Sequence, residues 1–151
     1  MIHAEHWNHR FLDMARYVGT EWSKDPDKQV GAVLVSPDRA TITPGYNGLP
    51  RNVADDPERL ADKAYKLPRT IHAELNAIFN APQRPVGHVL YVWPIPPCLL
   101  CAGPIIQSGI AEVWSPPVPE TSSWFTSCHE GREMLHEAGV ATYWLDDIAG
   151  A

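Results

Sequence analysis

The chain lacks the cysteines that a disulfide framework requires. Three occur in 151 residues, and two of them form a Cys98-x-x-Cys101 pair. Reduced thiols that bind metal or perform redox chemistry fit that usage better than structural bridges. An excess of positive charge is also missing: net charge is −6 with His neutral. That argues against a broad footprint on duplex nucleic acid, although a few local donors suffice for one small anionic substrate. No apolar run is long enough to span a bilayer. Met1 to Arg10 is polar and His-rich, without the apolar stretch of an export signal. The expectation is a cytoplasmic protein with no membrane partner. Internal repeats and low-complexity tracts are absent as well.

What is present reads as one globular domain over residues 1–151, with 44% apolar and 20% charged residues. Proline is abundant, at 15 residues, and clusters at 82–85, 94–97 and 116–119, between periodic segments. These clusters read as rigid loops within the domain. His6 to Trp22 carries apolar side chains at helical spacing. Val30 to Val35 reads as a buried strand, and Ala40 to Tyr46 as a second strand in hairpin with it, across the Pro37-Asp38 turn. Residues 51 to 69 are polar and charged without clear periodicity, a length of loop that is often functional. Ile71 to Ala81 returns to helical spacing, with Leu75, Ile78 and Phe79 on one side. Gly87 to Trp93, Ile110 to Trp114 and Val140 to Leu145 read as strands. Between them, Cys98 to Ser108 and Ser123 to Ala138 read as helices stopped by Gly109 and Gly139. This alternation predicts an α/β domain with a mixed sheet sandwiched by helices.

The residues that carry chemistry are His72-Ala73-Glu74 and Pro97-Cys98-Leu99-Leu100-Cys101. Either piece alone is a weak signal. Together they supply three N and S donors and one carboxylate, all at helix starts. Zn²⁺ prefers tetrahedral N and S ligands, and a catalytic site keeps three protein ligands and one open position. A helix N-terminus favours the thiolate that binds metal. Glu74 lies about 200° around a helix from His72, so it need not ligate the same ion and is free to shuttle protons.

An H-x-E pair followed by P-C-x-x-C is the signature of the zinc deaminases, and the chain resembles the zinc-dependent cytidine and deoxycytidylate deaminase superfamily. Asp25-Pro26 before Gln29-Val30-Gly31-Ala32-Val33, then Gly45-Tyr46-Asn47-Gly48, Asp55-Asp56, Ile71 to Ile78 and Ile105 to Ile110 look like its deoxycytidylate (dCMP) branch. The resemblance covers roughly residues 10 to 145. It implies a three-layer α-β-α fold with a central mixed five-stranded sheet, a zinc cofactor on His72, Cys98 and Cys101, and Glu74 as catalytic acid and base. Asn47 would hydrogen-bond the sugar, main-chain groups of Ala73 and the Pro97-Cys98 turn would hold the base edge, and Trp124 would line the pocket. The implied reaction is hydrolysis of a cytosine nucleotide, dCMP to dUMP with release of ammonia, by a homo-oligomer acting on a small-molecule nucleotide.

Three positions depart from that pattern. Asn52 stands where relatives that respond to dCTP and dTTP usually carry Gly. Trp93 ends the strand before the cysteines, where a small residue is usual. Gly103-Pro104 follows the cysteines where Lys is often found, and Pro is tolerable in a first helical turn. Phosphate recognition is open: Arg51, Lys63, Lys66 and Arg69 make 51–69 either a basic lid or a solvated loop, and Tyr65 either stacks on a base or packs. Cys128-His129 is a tempting second metal pair, but scattered surface histidines read better. Three other functions remain to be weighed. One is the same zinc chemistry on another base or nucleoside, one a non-catalytic module stabilised by zinc, and one nucleic-acid editing, for which this acidic chain shows no basic path.

Overall fold

Alternation along a single strand sets the layers. The computed structural model describes residues 2–146; residue 1 and residues 147–151 of the expected 1–151 domain lie outside the described residues. Strand β1 (Gly31–Val35) is buried along its length. Ala32 and Leu34 enter one core while Val33 and Val35 enter another, as the two-residue period of a strand requires. The antiparallel neighbours β2 (Ile42–Tyr46) and β3 (Val89–Trp93) flank β1, and β4 (Glu112–Ser115) and β5 (Ala141–Trp144) continue in parallel beyond β3. The order is β2-β1-β3-β4-β5. Pro44 is accommodated because β2 is an edge strand.

Helix α1 (Ile2–Trp22) covers one face, packing Phe11, Leu12, Ala15 and Val18 on Val33, Val35 and Tyr91. The other face carries α4 (Ala73–Asn80), α5 (Leu99–Ser108) and α6 (Phe125–Glu137), whose inner residues join Ala32, Leu34, Leu90 and Val92. The result is the expected three-layer α-β-α arrangement with a mixed five-stranded sheet. No described helix is long and apolar enough to cross a membrane.

Three local expectations are corrected. The 51–69 segment is not one irregular loop: it contains the short helices α2 (Pro57–Ala61) and α3 (Lys63–Lys66). The Asp56 side chain accepts from the Arg59 N–H, and the Asp62 side chain accepts from those of Ala64 and Tyr65. These are N-caps, and Pro57 sits where the helix has no N–H to satisfy. Phe79 does not share a buried face with Leu75 and Ile78; it is 71% exposed, and α4 turns Ala73 and Ala77 inward instead. Gly45 explains the choice. A Cβ there would stand 2.3 Å from the Ala77 nitrogen and 2.5 Å from the Ala73 carbonyl, so β2 and α4 meet backbone to backbone and leave room only for alanines. Pro104 lies inside α5, past its first turn. It deprives the Leu100 carbonyl of its helical donor, at a residue that is solvent-exposed.

Candidate active site

Loops at one end of the sheet converge on a single cavity of about 520 Å³. They are the segment before β1, the residue after β2, the 63–74 stretch leading into α4, and the segments following β3 and β4. Open α/β sheets bind ligands at the carboxyl ends of their parallel strands, and this cavity lies beyond those of β3 and β4.

Helix starts aim the donors. His72 is the N-cap of α4, with extended backbone (φ −68°, ψ 153°). The chain entering it is tied to the Gly45–Pro50 loop by paired Gly48 and Ile71 main-chain hydrogen bonds of 3.2 and 2.8 Å. Cys98 is the N-cap of α5, and its carbonyl accepts from the Cys101 and Ala102 N–H groups, each at 3.1 Å. The orphan Leu99 N–H donates to Ser127 Oγ of α6 at 3.0 Å. The three donors therefore rest on the ends of packed helices and not on mobile loops.

His72 Nδ1 lies 3.5 Å from Cys98 Sγ and 3.2 Å from Cys101 Sγ. Among the described residues, His72, Cys98 and Cys101 form the one set whose ligand atoms gather closely enough to hold an ion, all within 4.8 Å of one another. Tetrahedral zinc with ordinary Zn–N and Zn–S bonds would separate N from S by about 3.6 Å. The soft donor set and its spacing fit Zn²⁺. Cys128 is not part of that set; it is buried with its thiol donating to the Pro96 carbonyl at 3.2 Å, and His129 packs on the rings of Phe125 and Trp144.

The titrating groups are strongly perturbed. The hydrogen bond with Cys101 holds the Cys98 thiol down to about 4, with His72 adding to the effect against the burial that opposes it. The same bond, together with burial and the nearby Glu74 carboxylate, raises Cys101. His72 is raised by its bond to Cys98. Glu74 is 4% exposed, and burial raises its pKa against the pull of His72. Its Oε2 lies 3.7 Å from Cys101 Sγ, beside the donor set rather than within it. A carboxyl pushed upward by burial is suited to both taking and giving a proton near neutral pH.

The other expected site residues gather here with one exception. Asn47, Ala73 and Trp124 line the cavity with His72, Glu74 and Cys98, and Trp124 meets the His72 ring edge-on at a centroid distance of 5.9 Å. The wall at the proline turn is formed by Ile95, Pro96 and Cys98. Pro97 is fully buried there, its carbonyl close against Gly131 of α6. Asn47 is committed to its own scaffold. Its Oδ1 accepts from Ser23 Oγ at 2.6 Å and the Val30 N–H at 2.9 Å, and its Nδ2 donates to the Lys28 carbonyl at 2.9 Å.

The basic residues of the 51–69 segment divide sharply. Lys66, 1% exposed, donates to Asp25 Oδ1 at 2.7 Å and Asp27 Oδ2 at 2.6 Å, so it latches α3 to the loop before β1. Arg51 donates to Asn80 Oδ1. Arg59 and Arg69 lie over the Tyr65 ring, 4.8 and 4.2 Å from its centroid, and Tyr65 is not part of the cavity wall. Asp25, Lys28, Ser122 and Ser123, which sequence reasoning did not single out as site residues, do line it. The sequence signal for the first two was the Asp25-Pro26-Asp27-Lys28 run, an Asx turn in which Asp25 Oδ1 accepts from the Asp27 and Lys28 N–H groups. Asn52 adopts φ 67°, the left-handed conformation that Gly takes freely and Asn tolerates. The departure from Gly therefore preserves the backbone.

Known proteins resemble this chain in sequence and in fold. Residues 5–115 match the model for the cytidine and deoxycytidylate deaminase zinc-binding region. An uncharacterized deaminase in the luxG 3′ region of Aliivibrio fischeri is 39% identical over 141 residues, covering 92% of this chain and 93% of that one. The deoxycytidylate deaminase of Homo sapiens is 41% identical over 113 residues, which are 71% of this chain; the match spans 62% of the human protein. In fold, the dCMP deaminase of cyanophage S-TIM5, crystallised with dCMP and dUMP, superposes with a TM-score of 0.73 at 20% identity, over 93% of this chain and 97% of the phage chain.

Proposed function

The chain belongs to the cytidine and deoxycytidylate deaminase zinc-binding family, and on that premise we propose that it hydrolyses dCMP to dUMP with release of ammonia. The observation that carries this reading is the placement of Glu74. Its carboxyl is buried beside a His/Cys/Cys donor set, on the wall of a cavity large enough for a nucleotide.

His72, Cys98 and Cys101 would hold the zinc. Bound there, the ion supplies a Lewis acid that brings the pKa of water toward neutrality. The remaining work falls to the chain. Glu74 accepts a proton from the attacking water and delivers it to N3 of the pyrimidine. Water oxygen bonds to C4; Glu74 then takes the remaining proton of that hydroxyl and passes it to N4, and the C4–N4 bond breaks as the C4 carbonyl forms, releasing ammonia. The balance is dCMP and water in, dUMP and ammonia out. Burial keeps the Glu74 carboxyl away from bulk water, so that it exchanges protons with the substrate.

Orientation comes from the wall. Asn47 has one Nδ2 hydrogen beyond its bond to Lys28, directed by a side chain fixed at three points, and it serves the sugar hydroxyl. Main-chain groups at Ala73 and Cys98 hold the base edge, and the Trp124 ring closes the side of the cavity next to His72. A panel of dCMP, CMP, deoxycytidine and cytosine, followed by ammonia release from the zinc-loaded protein, tests the substrate. The expected result is highest kcat/KM for dCMP. Preference for a free base or nucleoside would overturn the nucleotide part of the reading and keep the chemistry.

A further inference from the structure

Most positive charge around the cavity is already neutralised. Lys66 faces two carboxylates, and Lys63, also on the wall, is exposed and lies near the Asp27 carboxylate. Lys28 differs from both. It lines the cavity half-buried, and no carboxylate pairs with it among the described residues; its electrostatic neighbour is the Cys128 thiol. Burial lowers its pKa, as expected for an ammonium partly removed from water. The backbone that presents it is held from both sides: the Lys28 N–H donates to Asp25 Oδ1 at 3.2 Å, and the Lys28 carbonyl accepts from Asn47 Nδ2 at 2.9 Å. Asp27 also lines this region, but its carboxylate is engaged by Lys66.

We infer that Lys28 is the residue that selects a phosphorylated substrate, its ammonium meeting the 5′-phosphate while the base sits against Glu74. This rests on the nucleotide reading above. A half-buried cation without a counter-ion is costly until an anion arrives. A flexible lysine stem on a fixed backbone suits a phosphate, which needs a point charge and not a planar fork. The same loop is pinned by Lys66 and Asn47, so phosphate recognition and sugar recognition share one scaffold. Recognition of the anion thus falls to the loop before β1, and the arginines of the 51–69 segment are engaged elsewhere.

The test measures binding apart from turnover. Calorimetric affinities of dUMP and deoxyuridine are compared in the zinc-loaded wild type, Lys28→Met, Lys28→Gln and Lys28→Arg. The wild type should prefer dUMP. Either neutral variant should lose that preference by about tenfold or more, and the arginine variant should recover part of it. Having two neutral variants guards against one that folds poorly. A neutral variant with the wild-type dUMP-to-deoxyuridine ratio overturns the assignment, and so does a wild type without preference. A wild type that binds in the expected pattern but releases no ammonia from dCMP upholds Lys28 and removes the deamination reading instead.

Discussion

Glu74 and Lys66 are both ionisable side chains hidden from water, and only the first was legible from its neighbours in sequence. Glu74 follows His72 by two positions, so the local motif carries its role. Replacing Glu74 with Gln keeps the shape and removes the proton. The expected outcome is loss of about 10²–10⁴ in kcat with zinc content, measured by metal analysis, unchanged. In zinc-free protein, Cys98 should titrate near 4, so thiolate absorbance at 240 nm should persist well below the usual thiol range. Lys66 stayed undecided between a lid cation and a solvated one because its two partners lie 41 and 39 residues away, a distance that no motif spans. Its removal leaves the Asp25 carboxylate buried. Lys66→Met should cost about 3 kcal/mol, a fall in Tm of about 2–4 °C per kcal/mol. The pair also sets a pH window. The pKa of Lys66 is raised by Asp25 and Asp27 against the burial that lowers it. Its contribution is therefore complete below about pH 10.4 and lost as pH rises through the higher folded value. The pKa of Asp27 is lowered by its bond to Lys66. That contribution is complete above about pH 3.9 and lost as pH falls through the lower folded value. Melting curves across pH should show a constant gap between wild type and Lys66→Met at neutral pH that narrows at both extremes.

Among the elements, α4 and α5 do the positioning, and the sequence located both through apolar spacing and the donors at their starts, with Gly109 as the stop of α5. The face that α4 buries was not legible, because it is decided by the approach of β2 rather than by helix periodicity. Gly45 permits that approach, so Gly45→Ala would place a methyl within 2.5 Å of two α4 backbone atoms. Overpacking of this kind costs about 1–3 kcal/mol. Because α4 carries His72 and Glu74, the variant should also bind zinc more weakly, as measured by competition with a chromogenic chelator. Retained stability and zinc affinity would show that the β2–α4 contact is not what aims the site. The α2 and α3 helices escaped periodic analysis because four or five residues are too few to repeat. Their caps, Asp56 with Pro57 and Asp62, were the readable signal.

The whole molecule puts its chemistry where the sheet changes from antiparallel to parallel pairing, with helix starts from one layer facing loops from the strand ends. That architecture followed from strand and helix alternation together with the deaminase resemblance. The cavity's charge distribution did not follow, since a net charge of −6 says nothing about where a few cations cluster. The central claim is that this fold runs hydrolytic deamination through one zinc and Glu74. It is tested most directly by incubating protein that carries one zinc per chain with dCMP, in parallel with the Glu74→Gln variant at equal zinc content, and quantifying ammonia and dUMP. Equimolar ammonia and dUMP from the wild type, with the variant reduced at least about a hundredfold, is the predicted result. No ammonia from the wild type, or equal release from both proteins, would contradict it.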